Sequence, residues 1–370
     1  MAWLPTTLPP ELTPIWKKRL RSTGVGGIAA TSKLVIVSGR EAIDTADGFR
    51  CFDAADGNEI WKLTYPVTGD LDYGNSPRAT PQIHGDHVYL LGAFGHLHCV
   101  NLMTGDIVWK KDLRQEFQVT SKMVWGHSSS PLIVGDKLIV NPGGPQAAFV
   151  ALELETGKVI WKTDGDAAAF ASFLLITVAD RQQIIGYDAT SLVGLDPETG
   201  EKRWRHVPRR LNDFNVPTPL LWRDKLIVCT ENNGTRLFGF DADGRLIDKP
   251  LAVNDSLAPD THTPVVIQDR LFGVWDALYC LDLNASLKPV WTGEDKTYHH
   301  YTTLIGSDNR LLAVGIHGEL LLIDPAADQY RVISRVNVVD DDSGVFSHPA
   351  IVGDRLYVRT SSDIRSVALR

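Results

Sequence analysis

The chain has 370 residues, of which 44% are hydrophobic and 22% charged, an ordinary composition for a globular protein. Its formal net charge is −8 and it has no block rich in lysine and arginine, so binding of nucleic acid through phosphate neutralisation is not expected. No apolar run reaches the roughly 18 residues that a membrane-spanning helix needs. The first residues, "MAWLPTTLPPELTP", have neither the basic nor the apolar stretch of a signal peptide.

One motif recurs along the whole chain. Its copies are "CFDAADGNEIW" (51–61), "CVNLMTGDIVW" (99–109), "ALELETGKVIW" (151–161), "GLDPETGEKRW" (194–204) and "CLDLNASLKPVW" (280–291), with weaker copies at 239–248 and 322–333. Each copy carries an anchor residue, in chain order Asp53, Asn101, Glu153, Asp196, Asp241, Asp282 and Asp324. Successive anchors are 41 to 52 residues apart, a period typical of a four-stranded propeller blade.

A hairpin pattern precedes each anchor, as in "PLIVGDKLIV" (131–140) and "PAIVGDRLYV" (349–358). These segments predict strand A, a tight turn and strand B. Strand C then ends at the anchor, and strand D follows a Thr-Gly turn and ends at a tryptophan. The anchor carboxylate is expected to cap the turn, the glycine to supply a positive φ, and the tryptophan to pack on the neighbouring blade. Blades five and seven lack this tryptophan and must dock by other contacts.

The two ends of the chain complement each other. Residues 347–370 supply strands A to C of a last blade, and residues 14–20 read as its strand D, with Trp16 in the tryptophan position. The sequence therefore predicts an all-β, eight-bladed propeller with four-stranded antiparallel blades, formed by 1–370 as a single domain. Both termini close the ring and remove its sheet edges.

The four cysteines form no CxxC and no adjacent pair, so their spacing predicts neither a zinc site nor a redox motif. Cys51, Cys99 and Cys280 each lie two residues before an anchor, where other repeats have Gly or Ala. Small buried filler is the expected role of these thiols. "GVGG" at 24–27 is interpreted as a flexible lead-in to the first strand.

The D-x-x-T-G-x-x-x-W motif resembles the PQQ-like β-propeller repeat family. That family includes quinoprotein dehydrogenases, outer-membrane assembly factors of β-barrel biogenesis, and many bacterial secreted propellers without an assigned activity, which residues 76–92 and 125–144 resemble most. The resemblance implies a bacterial, periplasmic protein. The assembly factors carry a lipidated N-terminal cysteine, whereas the first cysteine here is Cys51.

The catalytic members of the family hold pyrroloquinoline quinone with Ca²⁺, an Asp base, a Trp floor and a disulfide between adjacent cysteines. This chain has no adjacent cysteines, and its spacing contains no evident calcium cluster. The quinone is therefore disfavoured as a cofactor. Catalytic residues and metal ligands stay unassigned, because HExxH, P-loop and GxSxG motifs are missing.

In a propeller the D–A and B–C loops share the face around the mouth of the channel, the default ligand site. Polar and aromatic residues of these loops are the candidate ligand contacts: Arg78, Trp125, His127, Asn215, Asp260, His262, His299, His317 and His348. Such a ring suits a small polar ligand, a sugar or polyol. The alternative is that these are ordinary polar residues of surface loops.

The stretch "TYHHYTT" (297–303) leads into strand A of blade seven. Side chains alternate along a strand, so one histidine is expected to face the channel. The alignment with His127 favours His299, with Tyr298, His300 and Tyr301 as packing support. His96 and His98 share a face of strand C and are expected to pack between blades. The run 340–342 (Asp-Asp-Asp) is interpreted as an exposed turn, with a Ca²⁺ site as the alternative.

Two functions fit these observations. The first is a monomeric, non-catalytic binding or scaffold propeller with a protein partner or a small polar ligand at the mouth. The alternative is an oxidoreductase or sugar-active enzyme that uses a quinone or metal at the same mouth.

Overall fold

Eight antiparallel sheets are arranged as the blades of a propeller in the computed structural model, which describes residues 3–339 and 343–370. In the order A to D, blade 1 comprises Ala29–Ala30, Leu34–Glu41, Ala46–Asp53 and Glu59–Pro66, and blade 2 comprises Gln82–His84, His87–Leu91, His96–Asn101 and Ile107–Asp112. Blade 3 comprises Leu132–Val134, Lys137–Val140, Phe149–Glu153 and Val159–Thr163, and blade 4 comprises Leu174–Val178, Arg181–Tyr187, Leu192–Leu195 and Lys202–His206.

The second half of the chain repeats this order. Blade 5 comprises Leu220–Trp222, Lys225–Thr230, Gly234–Phe238 and Ala252–Asn254, and blade 6 comprises Val265–Ile267, Arg270–Trp275, Ala277–Asp282 and Lys288–Gly293. Blade 7 comprises Thr302–Gly306, Leu311–Gly315, Glu319–Ile323 and Val332–Asn337, and blade 8 comprises Ala350–Val352, Arg355–Arg359, Asp363–Ala368 and Pro14–Arg19. The remaining elements are Ser22–Thr23, which pairs with strand B of blade 1, an α-helix Leu113–Glu116 and a 3-10 helix Lys296–Tyr298.

The ring is closed by both ends of the chain, as predicted. Strand Pro14–Arg19 pairs antiparallel with strand Asp363–Ala368, so that Lys17 lies opposite Arg365. The residues before this strand add to the closure, because Leu4 and Leu8 are buried in the core shared by blades 7 and 8. Leu8 also donates its backbone N–H to Ser334 Oγ at 2.8 Å. Blade 7, which lacks the tryptophan, is therefore held in part by this leading segment.

The recurring motif is a contact between neighbouring blades. Trp61 donates its indole N–H to the carbonyl of Leu102 at 2.9 Å, in the next blade. Gly105 of the same turn has a φ of +75°, and a Cβ there would lie 2.7 Å from the Trp61 ring. The anchor Asn101 caps the turn by accepting the amide N–H groups of residues 103 and 104 at 3.0 Å. Glycine is thus required here for two reasons: the backbone has a positive φ, and a side chain would collide with the tryptophan ring that packs over the turn.

The same contact recurs at other junctions. A Cβ would meet the tryptophan ring of the preceding blade at Gly57, Gly157 and Gly200 as well.

One detail differs from the sequence prediction, because strand D does not end at its tryptophan. Trp109 lies opposite Cys99, and strand D continues to Asp112, opposite His96. The strand is longer because strand C still offers it pairing partners beyond the tryptophan.

The cysteines have the role expected of them. Cys51, Cys99 and Cys280 are fully buried, and each lies opposite the strand-D tryptophan of its own blade. All four cysteines are free thiols. Burial raises the pKa of the Cys51 thiol to about 12, so it stays protonated at neutral pH.

A ladder of hydroxyl groups joins the blades on the inner side. The backbone N–H of Thr80 donates to Ser130 Oγ at 2.9 Å, and that of Ser130 to Ser172 Oγ at 3.0 Å. The ladder continues from Ser172 to Thr218 and from Thr218 to Thr263, at 3.2 and 3.0 Å. Each member lies two residues before its strand A, where short A strands of neighbouring blades do not pair directly. The hydroxyls thus satisfy backbone donors that no strand pairs.

We expect Gly105→Ala to destabilise the protein more than Gly85→Ala. Both glycines have positive φ, but a Cβ at Gly85 meets nothing within 4 Å, whereas at Gly105 it meets the Trp61 ring. Gly85→Ala should cost about 1 kcal/mol of unfolding free energy for the left-handed backbone alone. Gly105→Ala should cost roughly 2 kcal/mol more because the tryptophan must move. Urea denaturation measures both values, and equal losses would contradict the packing role of this glycine.

Candidate functional site

The D–A and B–C loops meet on one face, as the repeat pattern predicts. The backbone N–H of His127, in the loop before blade 3, donates to the carbonyl of Ala93 in the B–C loop of blade 2 at 2.8 Å. Asn75 and Asn233 make equivalent contacts, with Asp44 Oδ2 at 2.8 Å and the carbonyl of Arg210 at 2.9 Å. These contacts define the mouth of the channel.

Three candidate side chains lie below the surface of the mouth. His127 is 3% and Asn215 4% exposed. His262 is half-buried, and its Nδ1 lies 3.0 Å from Thr261 Oγ1. One polar atom of each, Nε2 of the two histidines and Oδ1 of Asn215, has no hydrogen-bond partner among the described residues. These groups are therefore part of the interior beneath the mouth.

Arg78 and Trp125 shape the loops themselves. Arg78 donates to the carbonyls of Asp72, Gly74 and Ser76 at 2.6, 2.9 and 3.3 Å, so its guanidinium ties together the loop before blade 2. Trp125 is half-buried and packs against neighbouring aromatic rings. Arg78 thus has a structural task, while Trp125 presents part of its ring at the mouth.

The remaining candidates lie at the surface. His299, His317 and His348 are exposed, and Asp260 is half-buried and accepts a hydrogen bond from Thr261 at 3.0 Å. His348 Nδ1 lies 2.9 Å from its neighbouring carbonyl, that of Pro349. The three exposed histidines are accessible to a ligand, unlike the buried His127.

The "TYHHYTT" stretch differs from the strand lead-in that was expected. A 3-10 helix, Lys296–Tyr298, begins it, and strand A starts only at Thr302. Alternation of side chains does not apply to such a turn, and His299 and His300 are both exposed. His300 faces His317, with 6.2 Å between the ring centroids. Tyr298 is the buried support, since its hydroxyl lies 2.9 Å from that of Tyr330.

Six of the loops that lead into strand A carry an aromatic side chain at the mouth face, and we refer to these rings together as the aromatic cluster. Its members are Tyr73, Trp125, Phe170, Phe214, Tyr301 and Phe346. The Trp125 ring centroid lies 4.4 Å from that of Phe214 and 4.7 Å from that of Phe170. Burial raises the pKa of Tyr301, and the charges of Tyr73 and Asp260 act in the same direction. The rings thus form two groups, one around Trp125 from the loops before blades 2 to 5 and one pair, Tyr301 and Phe346, from the loops before blades 7 and 8.

Much of this cluster is open to solvent. Tyr73 is 78% exposed, and Phe214, Tyr301 and Phe346 are each more than 40% exposed. Sequence reasoning selected only Trp125 from the six. The other five could have been found because most D–A segments contain one aromatic residue. The polar residues in the same segments drew attention away from that pattern.

The buried histidines are neutral. Burial lowers the pKa of His127 to about 4, and the nearby Arg114 acts in the same direction. Burial also lowers the pKa of His98 to about 4. The His98 ring packs on Tyr65, with centroids 4.6 Å apart, which confirms its expected packing role between blades. An uncharged imidazole without a charged partner is a packing group at physiological pH.

Metal ligation has little support in the described part of the chain. Among residues 3–339 and 343–370, no group of three or more His, Cys, Asp or Glu side chains is arranged to hold a metal ion. The interpretation of the aspartate run 340–342 lies outside the described residues. No helix in the described ranges has the length and apolar character required to span a bilayer.

Comparison with known proteins identifies the family. The family model described as "Outer membrane protein assembly factor BamB" matches residues 45–293, about two thirds of the chain. This chain belongs to that family. The BamB protein of Shewanella oneidensis is 22% identical over 349 residues, which cover 77% of this chain and 82% of the relative. A putative dehydrogenase, XoxF of Paracoccus denitrificans, is 32% identical over 103 residues, but these cover 25% of this chain and 17% of the relative.

Solved structures agree on the fold of this BamB-family chain. The crystal structure of BamB from Moraxella catarrhalis superposes with a TM-score of 0.68 at 17% identity, covering 96% of this chain and 99% of that one. The quinohemoprotein alcohol dehydrogenase of Comamonas testosteroni reaches the same TM-score at 14% identity, over 97% of this chain and 77% of that one. At such identities the likeness establishes the propeller and no activity.

The quinone that the wider family implies does not fit the residues at this mouth. A quinone site needs a flat Trp floor and oxygen ligands for a cation. Trp125 already packs against Phe170 and Phe214, and within residues 3–339 and 343–370 no group of three or more His, Cys, Asp or Glu side chains is arranged to hold a cation. The cysteines that would form a vicinal disulfide are separate buried thiols of different blades.

We expect His127→Gln to flatten the dependence of stability on pH. The unfolded chain protonates this imidazole below a pH of about 6.5, whereas the native state does so only near pH 4. The wild-type unfolding free energy should therefore fall as the pH drops from about 6.5 to about 4, by up to about 1.4 kcal/mol per pH unit from this group. Chemical denaturation at several pH values measures the slope.

Met103→Ala is the control, because it removes an exposed side chain that does not titrate and should leave that slope unchanged. Identical slopes for wild type and His127→Gln would contradict the neutral, buried state assigned to His127.

Proposed function

We propose that this protein is a non-catalytic scaffold that holds a polypeptide partner on the mouth face of the propeller. The observation that carries the proposal is the exposed aromatic cluster. The relatives' printed name, outer membrane protein assembly factor, indicates the class of partner, a β-barrel polypeptide of the outer membrane. We accordingly propose that the protein works outside the cytoplasm.

The physical argument rests on what aromatic side chains contribute at interfaces. Large contiguous apolar patches are uncommon on proteins that bind nothing. Tyr, Trp and Phe bury much area at a small cost in side-chain entropy, and they are enriched where binding energy concentrates. Part of the cluster is also supported by its surroundings, because Arg78 ties the loop of Tyr73 and three of the rings pack against Trp125. A rigid apolar surface loses little freedom on binding.

Polar groups beside the cluster suit the rim of such an interface. Asp260, His299, His317 and His348 are the candidate contacts that solvent reaches. Docking surfaces typically combine an apolar centre with a polar rim. We also propose that a sugar or polyol can bind at the same mouth, with these four side chains as its hydrogen-bonding groups.

The oxidoreductase alternative draws support from the partial sequence matches to dehydrogenases. It is tested by adding Ca²⁺ and pyrroloquinoline quinone to the purified protein. Our proposal expects neither a retained quinone absorbance after desalting nor a rise in melting temperature. Either result would favour the oxidoreductase.

Replacing the exposed aromatics should weaken partner binding without affecting the fold. The variant is Tyr73→Asn with Phe214→Ala, and the probe is a urea-unfolded outer-membrane β-barrel protein diluted into buffer. Asparagine is chosen because Tyr73 has a φ of +62°, a conformation that asparagine tolerates. We expect affinity, measured by fluorescence anisotropy of the labelled probe, to fall about 10-fold or more.

Met103→Ala provides the control. Met103 is also apolar and 53% exposed, but it lies on a C–D turn, away from the D–A loops. Its replacement should leave affinity unchanged. If the double variant binds as wild type does while its melting temperature is unaltered, the aromatic cluster is not the docking surface.

A further inference from the structure

A cleft of about 320 Å³ lies between blades 4 and 5. Blade 4 contributes Tyr187 and Leu192 to its lining, and blade 5 contributes Val228 and Phe238. Asn215, from the loop that joins the two blades, lines it as well. The volume falls at the lower end of the roughly 300–1,000 Å³ found for small-molecule sites.

The cleft lies where the repeat is interrupted. At this junction the ring of Trp204 still packs on Phe240 of blade 5, with 6.2 Å between the centroids. Its indole N–H, however, donates to Gln183 Oε1 of its own blade at 2.7 Å rather than to a carbonyl of the next blade. Gln183 then donates to the carbonyl of Gly244 in blade 5 at 2.6 Å. A buried glutamine thus extends the link between the blades. Departures from an otherwise consistent pattern are expected at functional sites.

Two polar groups that line the cleft have no partner. Tyr187 is 3% and Asn215 4% exposed. The Tyr187 hydroxyl and Asn215 Oδ1 make no hydrogen bond with any described residue. Burial raises the pKa of the Tyr187 phenol well above its usual range, so the hydroxyl keeps its proton and can donate. Buried polar groups are nearly always paired, and two unpaired groups in one cleft indicate a ligand that pairs them.

The wall of the cleft is held in place by hydrogen bonds between the D–A loop and blade 5. The buried Asp213 carboxylate accepts from Thr230 Oγ1 at 2.7 Å and from the backbone N–H of Asn232 at 2.8 Å. Arg210 N–H donates to Asn233 Oδ1 at 3.0 Å. The site is therefore formed before any ligand arrives, which lowers the entropic cost of binding.

The arginines and aspartates that line the cleft are balanced in number, Arg209 and Arg236 against Asp248 and Asp255. Arg236 Nη2 lies 2.7 Å from Asp255 Oδ1, and His206 Nδ1 lies 3.0 Å from Asp248 Oδ1. A strongly charged ligand would have to compete with these contacts. The apolar side chains of Leu192, Val228 and Phe238 instead suit the C–H surface of a neutral molecule.

We propose that this cleft binds a small neutral hydroxylated ligand, a monosaccharide or cyclic polyol. The Asn215 carbonyl oxygen can only accept, so the ligand must donate to it, and the Tyr187 hydroxyl can donate or accept. A hydroxyl group does both, and several on one ring meet both requirements together. This site is separate from the aromatic cluster, and its existence does not depend on a polypeptide partner there.

Tyr187→Phe tests the proposal, because it removes only the unpartnered oxygen. Tyr89→Phe is the matched control. Tyr89 lies on the equivalent strand B of blade 2, is fully buried, and donates its hydroxyl to the carbonyl of Leu154 at 3.2 Å. The probes are D-glucose, D-galactose and myo-inositol, with binding measured by saturation-transfer NMR and stability by thermal denaturation.

We expect at least one probe to bind wild type and Tyr89→Phe equally. Tyr187→Phe should bind it about 10-fold more weakly or worse, a loss expected for one buried hydrogen bond. Tyr89→Phe should lower the melting temperature, and Tyr187→Phe should leave it unchanged or raise it. The Tyr73→Asn and Phe214→Ala double variant should still bind the probe, which separates this site from the aromatic cluster.

Three results would overturn the proposal. One is that none of the three probes binds wild type. Another is equal affinity of Tyr187→Phe and wild type for the bound probe. The third is a melting temperature of Tyr187→Phe that falls as far as that of Tyr89→Phe, which would give the hydroxyl a structural partner.

Discussion

The contact between a strand-D tryptophan and the C–D turn of the next blade is the interaction on which this propeller depends. A four-stranded blade cannot bury both of its faces alone, so each must find a neighbour. The tryptophan supplies a rigid ring and one N–H, and the next turn supplies a glycine surface and a carbonyl, as Trp61 does with Gly105 and Leu102. Small residues opposite the tryptophan, such as Cys99, leave room for the ring. On the inner side, hydroxyls such as that of Ser130 also connect neighbouring blades.

Closure of the ring follows from the same requirement. Without strand Pro14–Arg19, blade 8 would expose an unpaired edge and blade 1 would lack the ring that covers Gly57. Trp16 provides both, since it pairs within blade 8 and donates to the carbonyl of Ala54 in blade 1 at 3.0 Å. Strand Pro14–Arg19 is thus strand D of the last blade, although it comes first in the sequence.

Departures from the repeat coincide with the features that could carry function. At the junction of blades 4 and 5 a glutamine intervenes between tryptophan and turn, and a cleft with unpaired polar groups lies there. At the mouth, the loops between blades are free of the repeat constraint, and six of them carry aromatic rings that pack in two groups. Residues that hold the blades together are buried and hydrogen-bonded. The cleft, by contrast, has polar atoms without a hydrogen-bond partner among the described residues, and the aromatic rings at the mouth are partly exposed.

The sequence alone was enough for the fold, because the repeat encodes it locally. Period, anchor, turn glycine and tryptophan recur within each short segment, and a β-strand pattern with a fixed period admits few architectures. Even the blade shared by both termini could be inferred, since Trp16 and residues 347–370 supply complementary parts of one repeat.

The candidate site depended on tertiary structure. His127 and His299 hold equivalent positions in the sequence alignment, yet one is buried and neutral and the other exposed. Two local features account for this difference. The 3-10 helix Lys296–Tyr298 precedes His299. The backbone N–H of His127 instead donates a hydrogen bond to the carbonyl of Ala93, in a B–C loop 34 residues earlier. Phe170 and Phe214 meet Trp125 only because successive loops converge over one channel. Local periodicity determines which strands form, whereas the exposure of a loop side chain is set by contacts between residues far apart in the chain.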